Sequence, residues 1–164
     1  MPLGTTQRIK ERKRTILQLL TSGCKTTNHV IKTLGLTHSE AYYVLALLEN
    51  EGLVVKGKFG RVAIWCLNDE QFKSTVNELM QEIRRIVESN KLKYVYPMRI
   101  YRLILNDSKA RVLLSRYAPV GNNTVVTLAF LNAILEMMYG KPYFVGEKIV
   151  YLTTLNTGTP SPAP

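Results

Sequence analysis

No apolar run in this 164-residue chain approaches the ~18 residues that a membrane-spanning helix requires, and the chain holds only two cysteines and two histidines. The first thirty residues are too basic and polar to supply the apolar region of a secretory signal, so no membrane association is expected and a cytoplasmic, nucleoid-associated place is. Cys24 and Cys66 do not make a disulfide framework. Together with His29 and His38, and without a Cys-x-x-Cys pair, they make no zinc site either, so no metal and no cofactor is expected. Catalytic constellations are equally scarce. The histidines have no evident Asp partner beside a Ser or Cys nucleophile, and Gly57-x-x-Gly60 lacks the Lys-Ser/Thr and following helix of a phosphate loop. Glu49 and Glu51 at a helix exit read as surface charges, and an enzyme is not expected.

What is abundant is positive charge. Against 12 Asp and Glu stand 22 Lys and Arg, a net charge of +10. Residues 1–68 hold ten basic and four acidic side chains, residues 69–92 four and five, and residues 93–164 eight and three. Two basic lobes thus flank a near-neutral middle, a distribution that attracts polyanions, nucleic acid above all.

The pattern of apolar residues predicts a helix over Gln7–Thr21 with a basic first half, stopped near Gly23, and a short helix capped by Thr26 or Thr27. After the tight turn Gly35-Leu36-Thr37, the spacing Thr37-x-x-Glu40 predicts a capping box. It opens a helix with Ala41, Val44, Leu45 and Leu48 inward, ending at Glu51-Gly52. Two β-rich runs, Leu53–Lys58 and Arg61–Leu67, follow as a hairpin across Gly57-Lys58-Phe59-Gly60. Helix, helix, turn, helix, hairpin is the winged-helix order.

The run LGLTHSEAYYVLALLENEGLVVKGKFGRVAIWCL resembles the turn, recognition helix and wing of small prokaryotic winged-helix regulators of the ArsR and MarR groups. Its matching features are the Leu34-Gly35-Leu36-Thr37 turn, the Leu47-Leu48-Glu49-x-Glu51-Gly52-Leu53-Val54 helix exit and the basic wing, over roughly residues 8–67. The thiol metal motif of the ArsR type is absent, so metal sensing is not carried over. The resemblance implies that His38, Ser39, Tyr42 and Tyr43 face outward for the major groove, with Lys56, Lys58 and Arg61 of the wing beside phosphates or the minor groove. Thr26, Thr27 and Asn28 at the start of the second helix would offer polar groups to a phosphate. The reading face contains Glu40 and no Arg or Lys, which removes the commonest guanine contact. Tyr42 and Tyr43 therefore leave base reading, phosphate binding and protein docking all open.

Asp69 to about Asn90 reads as one helix in which Phe72, Val76, Leu79, Ile83 and Ile86 form an a/d seam two heptads long, suited to pairing with its copy in a homodimer. Beyond it, helices over Lys109–Tyr117 and Thr124–Tyr139 follow the apolar segment Met98–Leu105. Strands at Tyr143–Val145 and Lys148–Thr153 flank Gly146-Glu147, the signature of a type II′ turn. Ala46-Leu47-Leu48-Glu49 against Ala133-Ile134-Leu135-Glu136, and Ile16–Leu20 against Ile100–Ile104, suggest a repeated unit. The expected fold is therefore mainly α with small β-hairpin wings (α+β), a winged helix, possibly tandem, with a long connecting helix. Its divisions are a DNA-binding unit over residues 5–68, the connecting or dimerisation helix over 69–91, a second unit over 94–155 and a disordered tail over 156–164. The expected function is binding of double-stranded DNA by a homodimeric transcriptional or replicon regulator, with a possible protein partner at the C-terminal unit. The alternative is a tandem winged-helix interaction module in a transcription, replication or segregation assembly.

Overall fold

The structure is a computed structural model and describes residues 4–153; the expected disordered tail, 156–164, lies outside the described residues. From the N-terminus run α1 (Thr5–Leu20), β1 (Lys25–Thr26), α2 (Thr27–Leu34), α3 (His38–Asn50) and a hairpin of β2 (Val54–Phe59) with β3 (Val62–Leu67). Then come α4 (Glu70–Ser89), β4 (Tyr94–Val95), α5 (Pro97–Leu105), α6 (Ser108–Ser115), α7 (Thr124–Tyr139) and a second hairpin of β5 (Tyr143–Val145) with β6 (Lys148–Leu152). The two antiparallel sheets share one strand order, β1-β3-β2 and β4-β6-β5. This is the expected α+β class, largely helical with small antiparallel hairpins, and is winged-helix-like.

Side chains set most helix starts. Thr26, Asp69, Asp107 and Asn123 each accept a hydrogen bond from a backbone N–H in the first turn of α2, α4, α6 and α7. The predicted capping box is present at α3: Thr37 accepts from the Glu40 N–H while the Glu40 carboxylate accepts from the Thr37 N–H. Gly35, at φ 66, turns the chain out of α2.

One feature of the wing departs from expectation. The turn lies at Gly60-Arg61, and Gly57 sits inside β2 opposite Ile64. The cause is tertiary: a Cβ on Gly57 would stand 2.2 Å from the Ala129 carbonyl oxygen of α7. Helix α7 thus presses its backbone against β2, and only glycine admits that approach.

This contact makes the first sheet a wall shared by two cores. Val54 and Trp65 face a cluster formed by Ile16 and Leu20 of α1, Val30 of α2 and Val44, Leu45 and Leu48 of α3. Ile64 and Cys66, on the opposite face of the same strand, join a larger cluster of α4, α5, α6, α7 and Tyr151 of β6. Asn132 of α7, itself buried, clamps the junction: its Nδ2 donates to the Lys58 carbonyl and its side chain and backbone oxygens accept from the Tyr151 hydroxyl.

The seam on α4 lies inside this larger core. Phe72, Val76, Leu79, Ile83 and Ile86 are at most 5 % exposed and pack within their own chain. An amphipathic helix with a partner already present has no apolar stripe left for a second copy, so dimerisation through these five residues is replaced by intrachain packing. The repeat alignment changes too. The helix preceding β1 is α1 and the helix preceding β4 is α4, so α5 occupies the place of α2, and Ile100–Ile104 is no counterpart of Ile16–Leu20. The second unit also has one helix more than the first.

Cys24 and Cys66, from which no disulfide framework is expected, form a single disulfide across a sequence separation of 42. The β1–β3 pairing, Lys25 opposite Trp65, brings their backbones together. Because β1 is only two residues long, that pairing leaves little trace in the sequence. A crosslink closing a loop of this length contributes about 4 kcal/mol by the chain-entropy relation. Reducing the bridge, or Cys24→Ser, should lower the urea midpoint without changing the far-UV spectrum of the native state. Gly57→Ala should cost about 1–3 kcal/mol in the same unfolding measurement, because α7 must move away from β2.

Candidate nucleic-acid interface

The first turn of α3 carries His38 and Ser39, both exposed, and the next turn Tyr42 and Tyr43, exposed by 38 % and 55 %. They point outward because Ala41, Val44, Leu45 and Leu48 take the inward face at helical spacing. Tyr42 is the hub. His38 stacks on it with ring centroids 6.0 Å apart, and Trp65 meets it edge-on at 5.8 Å. The Lys56 ammonium donates to its hydroxyl and lies 4.8 Å above its ring and 5.4 Å above that of Trp65. A wing lysine is thereby fastened to an exposed tyrosine of α3.

Trp65 supports this arrangement from beneath. Its indole N–H donates to the Thr27 hydroxyl, 2.8 Å away and buried. Thr27 is therefore committed to the core and is withdrawn from the phosphate-binding candidates. Thr26 accepts from the His29 N–H as the α2 cap, and Asn28 stands exposed beside it. Lys58 and Arg61 are exposed on the wing. Lys56 and Lys58 lie on the sheet face away from α7, since residues of one parity along β2 share a face and Val55, Gly57 and Phe59 take the other.

Glu40 does not lie free on the reading face as the sequence suggested. Its carboxylate closes the capping box and accepts from Arg12 of α1 at 3.0 Å. Hydrogen bonds from Thr37 and then from Arg12 hold its carboxyl below the usual carboxylate range. The Arg12 guanidinium thus offsets the charge of this carboxylate. Lys13 is likewise paired, with Glu51 at 2.7 Å. The sequence reading missed Lys25. It faces Trp65 across β1–β3 as Lys56 does across β2–β3, so two lysines flank one indole on the same sheet face. A strand of two residues carries no periodic signal that would have revealed it.

In the second unit the helix before the hairpin is not outward-facing. Ten residues of α7, from Thr127 to Tyr139, are buried by β2 and the larger core, so this helix cannot enter a groove. No helix among the described residues is long and apolar enough to cross a membrane, and no cluster of His, Cys, Asp or Glu among them could hold a metal.

An outward-facing helix after a tight turn, tied to a basic hairpin, defines a winged-helix-like protein. Two comparisons specify it further. Residues 72–152 match the model of the PSV, transcriptional regulator domain. The crystal structure of hypothetical protein PyrSV_gp04 from Pyrobaculum spherical virus is 40% identical, covering 92% of this chain and 98% of that one, with a TM-score of 0.53. With such identity over nearly all of both chains, this chain belongs to that viral family, and the matched domain supports a role in transcriptional regulation. No curated protein matches the chain. The matched segment begins within α4, so the family's domain includes this helix with the elements that follow it.

Because the Glu40 carboxyl is held low in the folded chain, its contribution to stability is present above the ordinary carboxylate range and is lost as pH falls through the lowered folded value. Glu40→Gln should therefore lower Tm most at neutral pH. The gap to wild type should close as pH falls from about 6 to about 3 in a thermal melt series.

Proposed function

We propose that the chain is a transcriptional regulator that binds double-stranded DNA through the first unit, residues 5–68. His38, Ser39, Tyr42 and Tyr43 enter the major groove, and Lys56, Lys58 and Arg61 lie along the flanking backbone. The observation that carries this reading is the placement of Lys56 over Tyr42, which joins wing and helix into one cationic face. A docking surface for a neutral protein would leave those tyrosines in an uncharged patch. Thr26, Asn28 and Lys25 border the same unit and extend the phosphate contacts. Arg12 and Lys13, being paired, contribute little net charge to them.

The absence of an Arg or Lys on the outward face of α3 shapes the mode of binding. Tyrosine rings offer apolar contact with thymine methyls and hydroxyl contact with phosphates, whereas a bidentate guanine contact needs a guanidinium or ammonium. Affinity therefore rests mainly on the backbone and depends steeply on salt. The second unit, including α4, holds the wing rather than reading DNA: α7 and Asn132 grip β2 from the face opposite Lys56 and Lys58. This gives the wing lysines a rigid base and leaves the second hairpin for other contacts. The relation to the ArsR and MarR groups is one of architecture.

The test is binding of a labelled random duplex over a salt series with single-stranded competitor. Steep weakening with salt and preference for duplex are expected, and Lys58→Ala and Arg61→Ala should each flatten the salt slope by about one unit. Unchanged slopes would remove the wing from the interface, and preference for the single strand would overturn the duplex reading.

A further inference from the structure

The second hairpin exposes what a soluble monomer ordinarily covers. All three residues of β5, Tyr143, Phe144 and Val145, are exposed, Phe144 by 71 %. Among the described residues β5 is also the outer strand of its sheet, paired with β6 alone. A free edge carrying three consecutive large apolar side chains, without an inward charge or a bulge, is a template for another strand.

We propose that this edge is the surface on which two copies of the chain pair, β5 against β5 about a two-fold axis, joining the two sheets into one. The inference is independent of DNA binding and replaces the buried α4 seam as the means of self-association. Three observations commit it to a second copy and to one register. The first is backbone parity. A two-residue turn at Gly146-Glu147, with Gly146 at φ 65, closes on the hydrogen-bonded pair Val145 and Lys148. Alternation then leaves Phe144, opposite Ile149, with its N–H and C=O turned away from β6. The first hairpin displays the same parity directly. Its turn closes between Phe59 and Val62, and the Lys58 carbonyl next to it points outward, where it accepts from Asn132.

The second observation is that a two-fold axis at Phe144 lets each copy's Phe144 N–H donate to the other's Phe144 carbonyl. It also sets Tyr143 against Val145 of the partner copy. Shifting the axis by one residue towards the N-terminus would oppose Phe144 to Pro142, which has no N–H to give. The third is charge. With Phe144 on the axis, Lys141 of each copy falls opposite Glu147 of the other. Both are exposed, and neither makes an ion pair with another described residue. An edge of three residues makes a small interface, so dissociation in the micromolar range is expected.

Sedimentation equilibrium of the full chain without DNA tests the proposal. Wild type should associate reversibly to a dimer. Phe144→Asp, at an exposed position that leaves the native spectrum intact, should sediment as monomer at every concentration, since it sets two carboxylates face to face. Lys141→Glu should raise the dimer dissociation constant about tenfold, and the double exchange Lys141→Glu with Glu147→Lys should return it to within about threefold of wild type. A wild type that is monomeric at about 200 µM, a dimer that survives Phe144→Asp, or a double exchange no better than the single would each overturn it. None of these results bears on the duplex-binding assay, so the two readings fail separately.

Discussion

The structure depends on the close approach of α7 to β2 at Gly57. A sheet of three short strands has two faces, and in a lone winged-helix unit one packs on the helices while the other meets solvent. Here both are covered: Trp65 and Val54 face the first core while Ile64 and Cys66 face the second. The missing side chain at Gly57 lets the α7 backbone lie against the strand, and the Asn132 bond to the Lys58 carbonyl fixes its position along it. The wing thereby stops being a flexible appendage and becomes the structural centre of the chain.

That constraint explains the division of labour between the halves. In the second unit, built with the same strand order as the first, the helix before the hairpin is buried against β2 instead of facing outward. The strongly apolar sequence of α7 reflects that burial. Between β2 and the second hairpin lies a groove of about 1480 Å³ whose lining includes Met98, Met137, Phe144, Arg99 and Lys148. The first unit keeps its outward α3, and the polar residues around it are arranged to clear negative charge from that face: Glu40 and Glu51 are each drawn to a cation on α1.

The local elements were legible because their causes are local. Thr37 and Glu40 specify the start of α3, Asp69 that of α4, and Gly146-Glu147 a turn, whatever the rest of the chain does. The a/d spacing of Phe72, Val76, Leu79, Ile83 and Ile86 correctly marked a buried face, but such a stripe looks the same whether the covering helix comes from a second copy or from α5, α6 and α7. For the same reason Gly57 read as part of a turn, since glycine serves turns and close contacts alike. Thr27 read as a phosphate ligand because its partner, the Trp65 indole, lies 38 residues away. Cys24 and Cys66 are a pair only because a two-residue strand aligns β1 with β3.

The sequence by itself thus determined the class of fold, the capped helices, the two hairpins, the excess of positive charge and the outward set His38, Ser39, Tyr42 and Tyr43. These follow from periodicity, capping chemistry and composition, which act within a few residues of one another. Only the tertiary structure decided which apolar stripe meets which, that the wing is held from behind, that Lys56 rests on Tyr42, and that Glu40 and Thr27 are spent on structure. Each of these is a contact between segments distant in the chain, and its geometry is set by packing two cores against one sheet.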